Sequence, residues 1–274
     1  MNNPLQKYFR QPKIYITLPS QGMFNSAGSI DNATGQLPIM SMTGMDELLL
    51  KTPDALMNGD ATVKVIQSCV PNIKNAWEVC NLDLDVLLIA IRIATYGSNM
   101  DLGHTCPNCG SENEYTTDLM KIVDHFSKCQ YDNKIVIGDL TILVRPLDYK
   151  TMTEFNLRNF ELQRQLKQSF DLEDEDARLK IIADMYEKLS VIQNETYIAS
   201  IETIQVPDAV VNEREFIAEW VINSEKKMFD SIKQQIEKNN KSWAIPDMTV
   251  KCESCEHESV ISIQMDQSNF FASA

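Results

Sequence analysis

Apolar residues recur along this chain with two periods, and the periods sort it into strands and helices. Lys13-Ile14-Tyr15-Ile16-Thr17 alternates every second residue and predicts a short strand; Leu37-Pro38-Ile39-Met40-Ser41-Met42 predicts a second extended segment. Between them, residues 25–36 are rich in Asn, Gly and Ser and read as an exposed loop. Thr43 and Asp46 form a helix-start pattern before Leu48, Leu49 and Leu50, and Pro53 suits the opening of another helical turn. Asp60 is the expected cap of a helix carrying Val63, Ile66 and Val70, ended by Pro71. Asp83 is the expected cap of a helix over 84–96, stopped by Gly97. That helix is apolar on nearly all sides and is expected at the centre of the N-terminal half. Arg92 is its interior charge; of two readings, a buried functional cation or a stem reaching solvent along an edge, the second is expected.

Lys134-Ile135-Val136-Ile137 and Leu140-Thr141-Ile142-Leu143-Val144 flank Gly138-Asp139, which predicts a β-hairpin with a two-residue turn. Beyond Asp148 the period becomes helical. Phe155, Leu162 and Leu166 stripe a helix over 151–170, and Ile182, Met185, Leu189 and Ile192 stripe the next, with Pro207 ending that region. The acidic run 171–176 lacks the spacing of a calcium loop and reads as a solvated helix start. Asn212 with Glu215 predicts the cap of a third long helix. Ile217, Val221, Met228, Ile232 and Ile236 would line it, widened by Trp220 and Phe229, and pack within the molecule. The apolar Phe270-Phe271 near the end is expected to dock on the body or on a neighbour.

Cysteine spacing adds what periodicity cannot. Cys106-Pro107-Asn108-Cys109-Gly110 and Cys252-Glu253-Ser254-Cys255 are Cys-x-x-Cys pairs, each between strand-like segments. They read as two knuckles of a zinc ribbon, with Gly110 suited to the positive φ such a turn needs. Four thiolates, Cys106, Cys109, Cys252 and Cys255, suit one tetrahedral structural zinc ion. A redox dithiol would open a helix, and neither pair does; four metal-free thiols are the remaining reading. Residues 110–251 lie between the pairs, so a whole subdomain is inserted and the metal closes its base. Cys69, Cys80 and Cys129 make up the seven cysteines, and spare thiols fit a reducing compartment.

These patterns describe an α+β chain of β-hairpins and helices, with a zinc-ribbon-like four-cysteine site closed across a helical insertion. Three regions are expected: 1–100, an N-terminal α+β region; 101–147 plus 247–274, the zinc-ribbon-like β region; and 148–246, the inserted helical subdomain.

A net charge of −14 over 274 residues opposes contact with nucleic acid and anionic lipid. No signal peptide is expected at Met1-Asn2-Asn3-Pro4, and the most apolar run, around Arg92, is too short to span a bilayer. The three histidines are His104, His125 and His257. His104 and His257 flank the knuckles and, with four cysteines available, are expected beside the metal or exposed rather than as ligands. No metalloprotease, nucleophile-elbow or phosphate-loop motif occurs, and four cysteine ligands leave zinc no open position, so no catalytic residue, enzymatic activity or small-molecule substrate is expected.

Residues 48–59, residues 87–97, Cys106-Pro107-Asn108-Cys109-Gly110 and Arg145-Pro146-Leu147 together resemble the T4-type bacteriophage baseplate protein family, most strongly from Pro38 to Leu147. The resemblance implies a component or assembly factor of the central hub of a contractile-tail baseplate. It also implies other baseplate or tail subunits as partners, assembly in the host cytoplasm and no catalytic residues. Glu256 follows Cys255 where Gly110 follows Cys109, a departure that bears on the geometry of the second turn. A zinc-ribbon adaptor or regulator binding a host protein or nucleic acid is the alternative.

Overall fold

The computed structural model describes residues 3–52, 57–170, 174–263 and 270–271. The expected helical turn at Pro53 and the acidic residues 171–173 lie outside them. The architecture is α+β. The chain divides into two compact units, one formed by residues 1–129 with 243–274, the other by 130–242.

The first unit opens with β1 (Pro12–Thr17) paired antiparallel to β2 (Gln36–Met40). The connecting segment is more ordered than its composition suggests: Ile30 bridges Ile73, and Ser29 is buried. Helix α1 (Gly44–Leu50) starts with the expected reciprocal cap. Thr43 Oγ1 accepts the Asp46 N–H at 3.2 Å, and the Asp46 carboxylate accepts the Thr43 N–H at 2.7 Å. Helix α2 (Asp60–Cys69) is capped differently from expectation. Gly59, at φ 82°, occupies the cap, and Asp60 is the first helical residue, where its charge favours the helix dipole.

Helix α3 (Asn81–Tyr96) is the centre of this unit, with β1, β2, α2 and α4 (Leu119–Phe126) packed around it. Val86, Leu87, Ile89, Ala90 and Ile91 are completely buried, as all-round apolarity requires. Gly97 ends it at φ 93°. Its cap, however, is Cys80; Asp83 lies inside the first turn and works outward. The Asp83 carboxylate accepts the Ser20 N–H at 3.0 Å, the Ser20 hydroxyl, and the Asn25 amide at 2.8 Å, while Asn25 Oδ1 accepts the Cys80 N–H at 2.7 Å. A buried carboxylate needs donors, and the 18–25 turn supplies them.

Arg92 also departs from expectation. It does not reach solvent: only 4% of it is exposed, because the C-terminal segment covers it. Its Nε donates to the Phe270 carbonyl at 2.9 Å, and its guanidinium sits 5.5 Å from the Phe270 ring centre and 5.7 Å from that of Tyr96. Tyr96 Oη donates to the Phe271 carbonyl at 3.2 Å, and both phenylalanines are buried. The apolar tail therefore docks on the body of its own chain.

The second unit begins with the expected hairpin, β5 (Lys134–Ile137) and β6 (Leu140–Val144), turning at Gly138-Asp139. Helices α5 (Tyr149–Ser169) and α6 (Glu175–Ala199) follow as an antiparallel pair, Asp148 capping the first. Two strands then appear that helical periodicity did not foretell: β7 (Ile201–Val206) and β8 (Ala209–Val211). They extend the hairpin into a four-stranded antiparallel sheet in the order β5-β6-β7-β8. Pro207-Asp208 is the two-residue turn between them, so Pro207 marks a hairpin rather than a helix end.

The third long helix is two: α7 (Arg214–Asn223) and α8 (Lys226–Ser242), with Glu213 rather than Asn212 at the first cap. Asn223 and Ser224 turn their side chains onto the Glu219 and Val221 carbonyls, at 2.8 Å each, and so break the run. Ile217, Val221, Ile232 and Ile236 still share one core with Ile142, Val144, Ile201 and Ile204 of the sheet. Asn239, buried near the end of α8, clasps the start of this unit: its amide donates to the Asp132 carbonyl at 2.8 Å and its Oδ1 accepts the Asp132 N–H at 3.2 Å.

The chain returns to the first unit through Trp243, which stacks on Phe126, and finishes with β9 (Met248–Lys251) paired to β10 (Glu258–Ile261). The remaining hairpin, β3 (Asn99–Thr105) with β4 (Glu112–Asp118), follows α3.

Candidate metal centre

Both Cys-x-x-Cys pairs sit at hairpin tips, and the tips share one construction. In the first, Thr105 pairs with Glu112; the Cys106 N–H donates to the Ser111 carbonyl at 2.9 Å and the Gly110 N–H to the Cys106 carbonyl at 2.9 Å. In the second, Lys251 pairs with Glu258; the Cys252 N–H donates to the His257 carbonyl at 3.0 Å and the Glu256 N–H to the Cys252 carbonyl at 2.9 Å. Each turn closes through a left-handed residue: Gly110 at φ 74°, and Glu256 at φ 57°. The departure noted at Glu256 leaves the turn geometry intact, at the cost of a Cβ in a region L-residues avoid.

The two tips bring all four sulfurs within 4.8 Å of one another. Cys106 Sγ lies 3.7 Å from Cys255 Sγ, and Cys109 Sγ 3.6 Å from Cys252 Sγ. A disulfide needs about 2.05 Å. Four sulfurs around a tetrahedral ion with bonds of about 2.3 Å stand about 3.8 Å apart. The observed spacing matches the second arrangement, and the donor set, four soft thiols without a carboxylate, suits a thiophilic ion. Neither pair opens a helix, which disfavours dithiol redox chemistry.

Polar groups favour thiolates at Cys252 and Cys109. The Ser254 and Cys255 N–H groups bring the Cys252 thiol down to about 6 despite its burial, helped by Cys109 and Asn113. Ser111 lowers Cys109. Cys106 receives the Cys109 N–H, yet desolvation and the neighbouring sulfurs push it up to about 11. Crowding of this kind is what a cation would relieve.

Asn113 joins the two ribbons and was not legible in the spacing. Its amide donates to Cys252 Sγ at 3.5 Å and to the Ser111 carbonyl at 3.0 Å, and its Oδ1 accepts the Glu253 N–H at 3.0 Å. Tyr115 adds a bond from its hydroxyl to the Lys251 carbonyl at 2.8 Å, and Asn108 donates to Cys255 Sγ at 3.6 Å. Alternation along β4 was the available signal, since Asn113 and Tyr115 face the same side. The flanking histidines stay outside the cluster: His104 pairs across the hairpin with Asn113, and His257 is exposed.

Elsewhere, Cys129 Sγ lies 3.7 Å from His125 Nε2, but burial pushes that thiol up, away from a nucleophile's requirement. An open cleft of about 410 Å³ in the second unit is lined by Arg145, Asp148, Thr151, Glu195 and Arg214. Its carboxylates are committed: Asp148 caps α5, and Glu195 pairs with Arg158 at 2.6 Å. No described helix is long and apolar enough to cross a membrane.

No curated protein and no solved structure matches the chain. A family model does: residues 29–272 match that of the T4 bacteriophage base plate protein. The match takes in both cysteine pairs and most of both units, and the chain belongs to the T4 bacteriophage base plate protein family.

Proposed function

We propose that this chain is a non-enzymatic structural or assembly protein of the hub region of a contractile-tail baseplate. It acts through contacts with other baseplate and tail subunits after assembly in the host cytoplasm. Cys106, Cys109, Cys252 and Cys255 hold one zinc ion that ties the β9–β10 ribbon to the β3–β4 ribbon. Convergence of two sequence-distant cysteine pairs into one tetrahedral-sized cluster carries the metal reading. Family membership carries the baseplate reading. Four thiolates fill a zinc coordination shell, so the ion braces the fold rather than activating water. Between the ribbons, residues 130–242 form an inserted module with its own core, suited to present surfaces to neighbours.

Two measurements test this. Elemental analysis of reduced, purified protein should give one zinc per chain, and none after Cys252→Ser with Cys255→Ser. Affinity purification of the tagged chain from infected cells, with cryo-electron microscopy of tails and tail intermediates, should recover it with hub subunits. Its absence from all of these would refute the baseplate role.

A further inference from the structure

We propose that Asn58-Gly59 is a self-modifying site, at which Asn58 converts without an enzyme, first to a cyclic succinimide and then to aspartate or isoaspartate. Glycine or serine follows asparagine at three places: Asn25-Ser26, Asn58-Gly59 and Asn223-Ser224. The successor matters because its main-chain nitrogen is the nucleophile, and a bulky side chain there would crowd the forming ring. The fold separates the three. Asn25 is tied to α3: its Oδ1 accepts the Cys80 N–H at 2.7 Å and its amide donates to Asp83 at 2.8 Å. Asn223 is the last residue of α7, and its amide donates back to the Glu219 carbonyl at 2.8 Å. Asn58 is exposed, and its bonds are local. Its Oδ1 accepts the Asp60 N–H at 3.0 Å, and its Nδ2 donates to the Asp60 carboxylate at 3.2 Å.

This turn favours ring closure. A side chain bonded to the second residue along folds back over the residue between. Here that residue is Gly59, which is buried at φ 82° and puts no side chain in the way. Closure develops negative charge on Asn58 Oδ1. The Asp60 N–H points at that oxygen, and Asp60 opens α2, where the helix end favours negative charge. The Gly59 nitrogen gives its proton to solvent base and attacks Asn58 Cγ. Nδ2 takes a proton from solvent, the Cγ–Nδ2 bond breaks, and ammonia leaves. Water then opens the ring, giving aspartate by attack at Cγ and isoaspartate by attack at the main-chain carbonyl carbon. One water enters for each ammonia released, and no oxidant or reductant is needed. The product adds a negative charge just before α2, and the isoaspartyl form lengthens the main chain by one methylene at the helix entry. Neither the metal nor the baseplate reading bears on this chemistry.

Peptide mapping by mass spectrometry, after incubation of the full chain in mildly alkaline buffer, tests it. Asn58 should convert, with isoaspartate in excess as read by an isoaspartyl methyltransferase. The rate should rise about tenfold per pH unit, because attack needs the deprotonated nitrogen. Conversion in the folded chain should be at least as fast as in chain unfolded by urea, and should leave Asn25 and Asn223 intact. Asn58→Gln keeps the amide but must close a larger ring, so it should convert at least about tenfold more slowly with helical circular dichroism unchanged. An Asn58 that stays intact while the unfolded chain converts, or conversion of Asn25 or Asn223 at the same rate, would overturn the proposal.

Discussion

Glu256 holds its backbone at φ 57° in a turn whose twin uses Gly110 at φ 74°. A side chain there is strained, and glycine is not. Glu256→Gly should raise the stability of the metal-loaded protein by about 0.5–1 kcal/mol, read as a higher urea midpoint with unchanged slope. Gly110→Ala should lower it by about 1–2 kcal/mol. Asp85 offers a second residue-scale outcome. Burial pushes its carboxyl up to about 6, against about 3.9 in an unfolded chain. Between these values the folded state binds the extra proton, so stability falls as pH rises from about 4 to 6. Asp85→Asn should remove that slope. The variant should be more stable than the native chain by about 1–2 kcal/mol above pH 6 and indistinguishable below pH 4, measured by denaturation across pH. The clustering of the four cysteines was legible because the Cys-x-x-Cys spacing recurs twice, each time between strand-like segments. Asp83 and Arg92 were legible only as charges: their partners, Ser20 and Asn25 in one case and Phe270 in the other, come from distant sequence.

At the scale of elements, the β3–β4 and β9–β10 ribbons are two-stranded, and isolated two-stranded hairpins are marginal in water. Their junction rests on the sulfur cluster, Asn113 and Tyr115. Withdrawing the proposed zinc ion with a chelator should therefore abolish amide-exchange protection in β9 and β10 while leaving β6, β7 and α8 protected, as hydrogen-exchange mass spectrometry would show. Strand pairs joined by two-residue turns were read correctly where the turn was Gly138-Asp139 and missed where it was Pro207-Asp208, because a proline after a helical stripe also signals a helix end. The break between α7 and α8 was hidden for a related reason. The apolar period continues across Ser224, and only the side-chain bonds of Asn223 and Ser224 reveal the interruption.

At the scale of the whole molecule, residues 130–242 have a core of sheet and helices that, among the described residues, is built from that segment. Expressed alone, this segment should fold cooperatively, with a single urea transition and native-like circular dichroism, and should bind no zinc. The α+β class followed from the two periods of the apolar pattern; the sheet within residues 130–242 did not, because its strands are split by two helices totalling the longest stretch of the chain's helical pattern. The clasp of Asn239 on Asp132 has a corollary. Because the segment leaves where it enters, it is a cassette: its length can change without re-registering the two cysteine pairs that flank it.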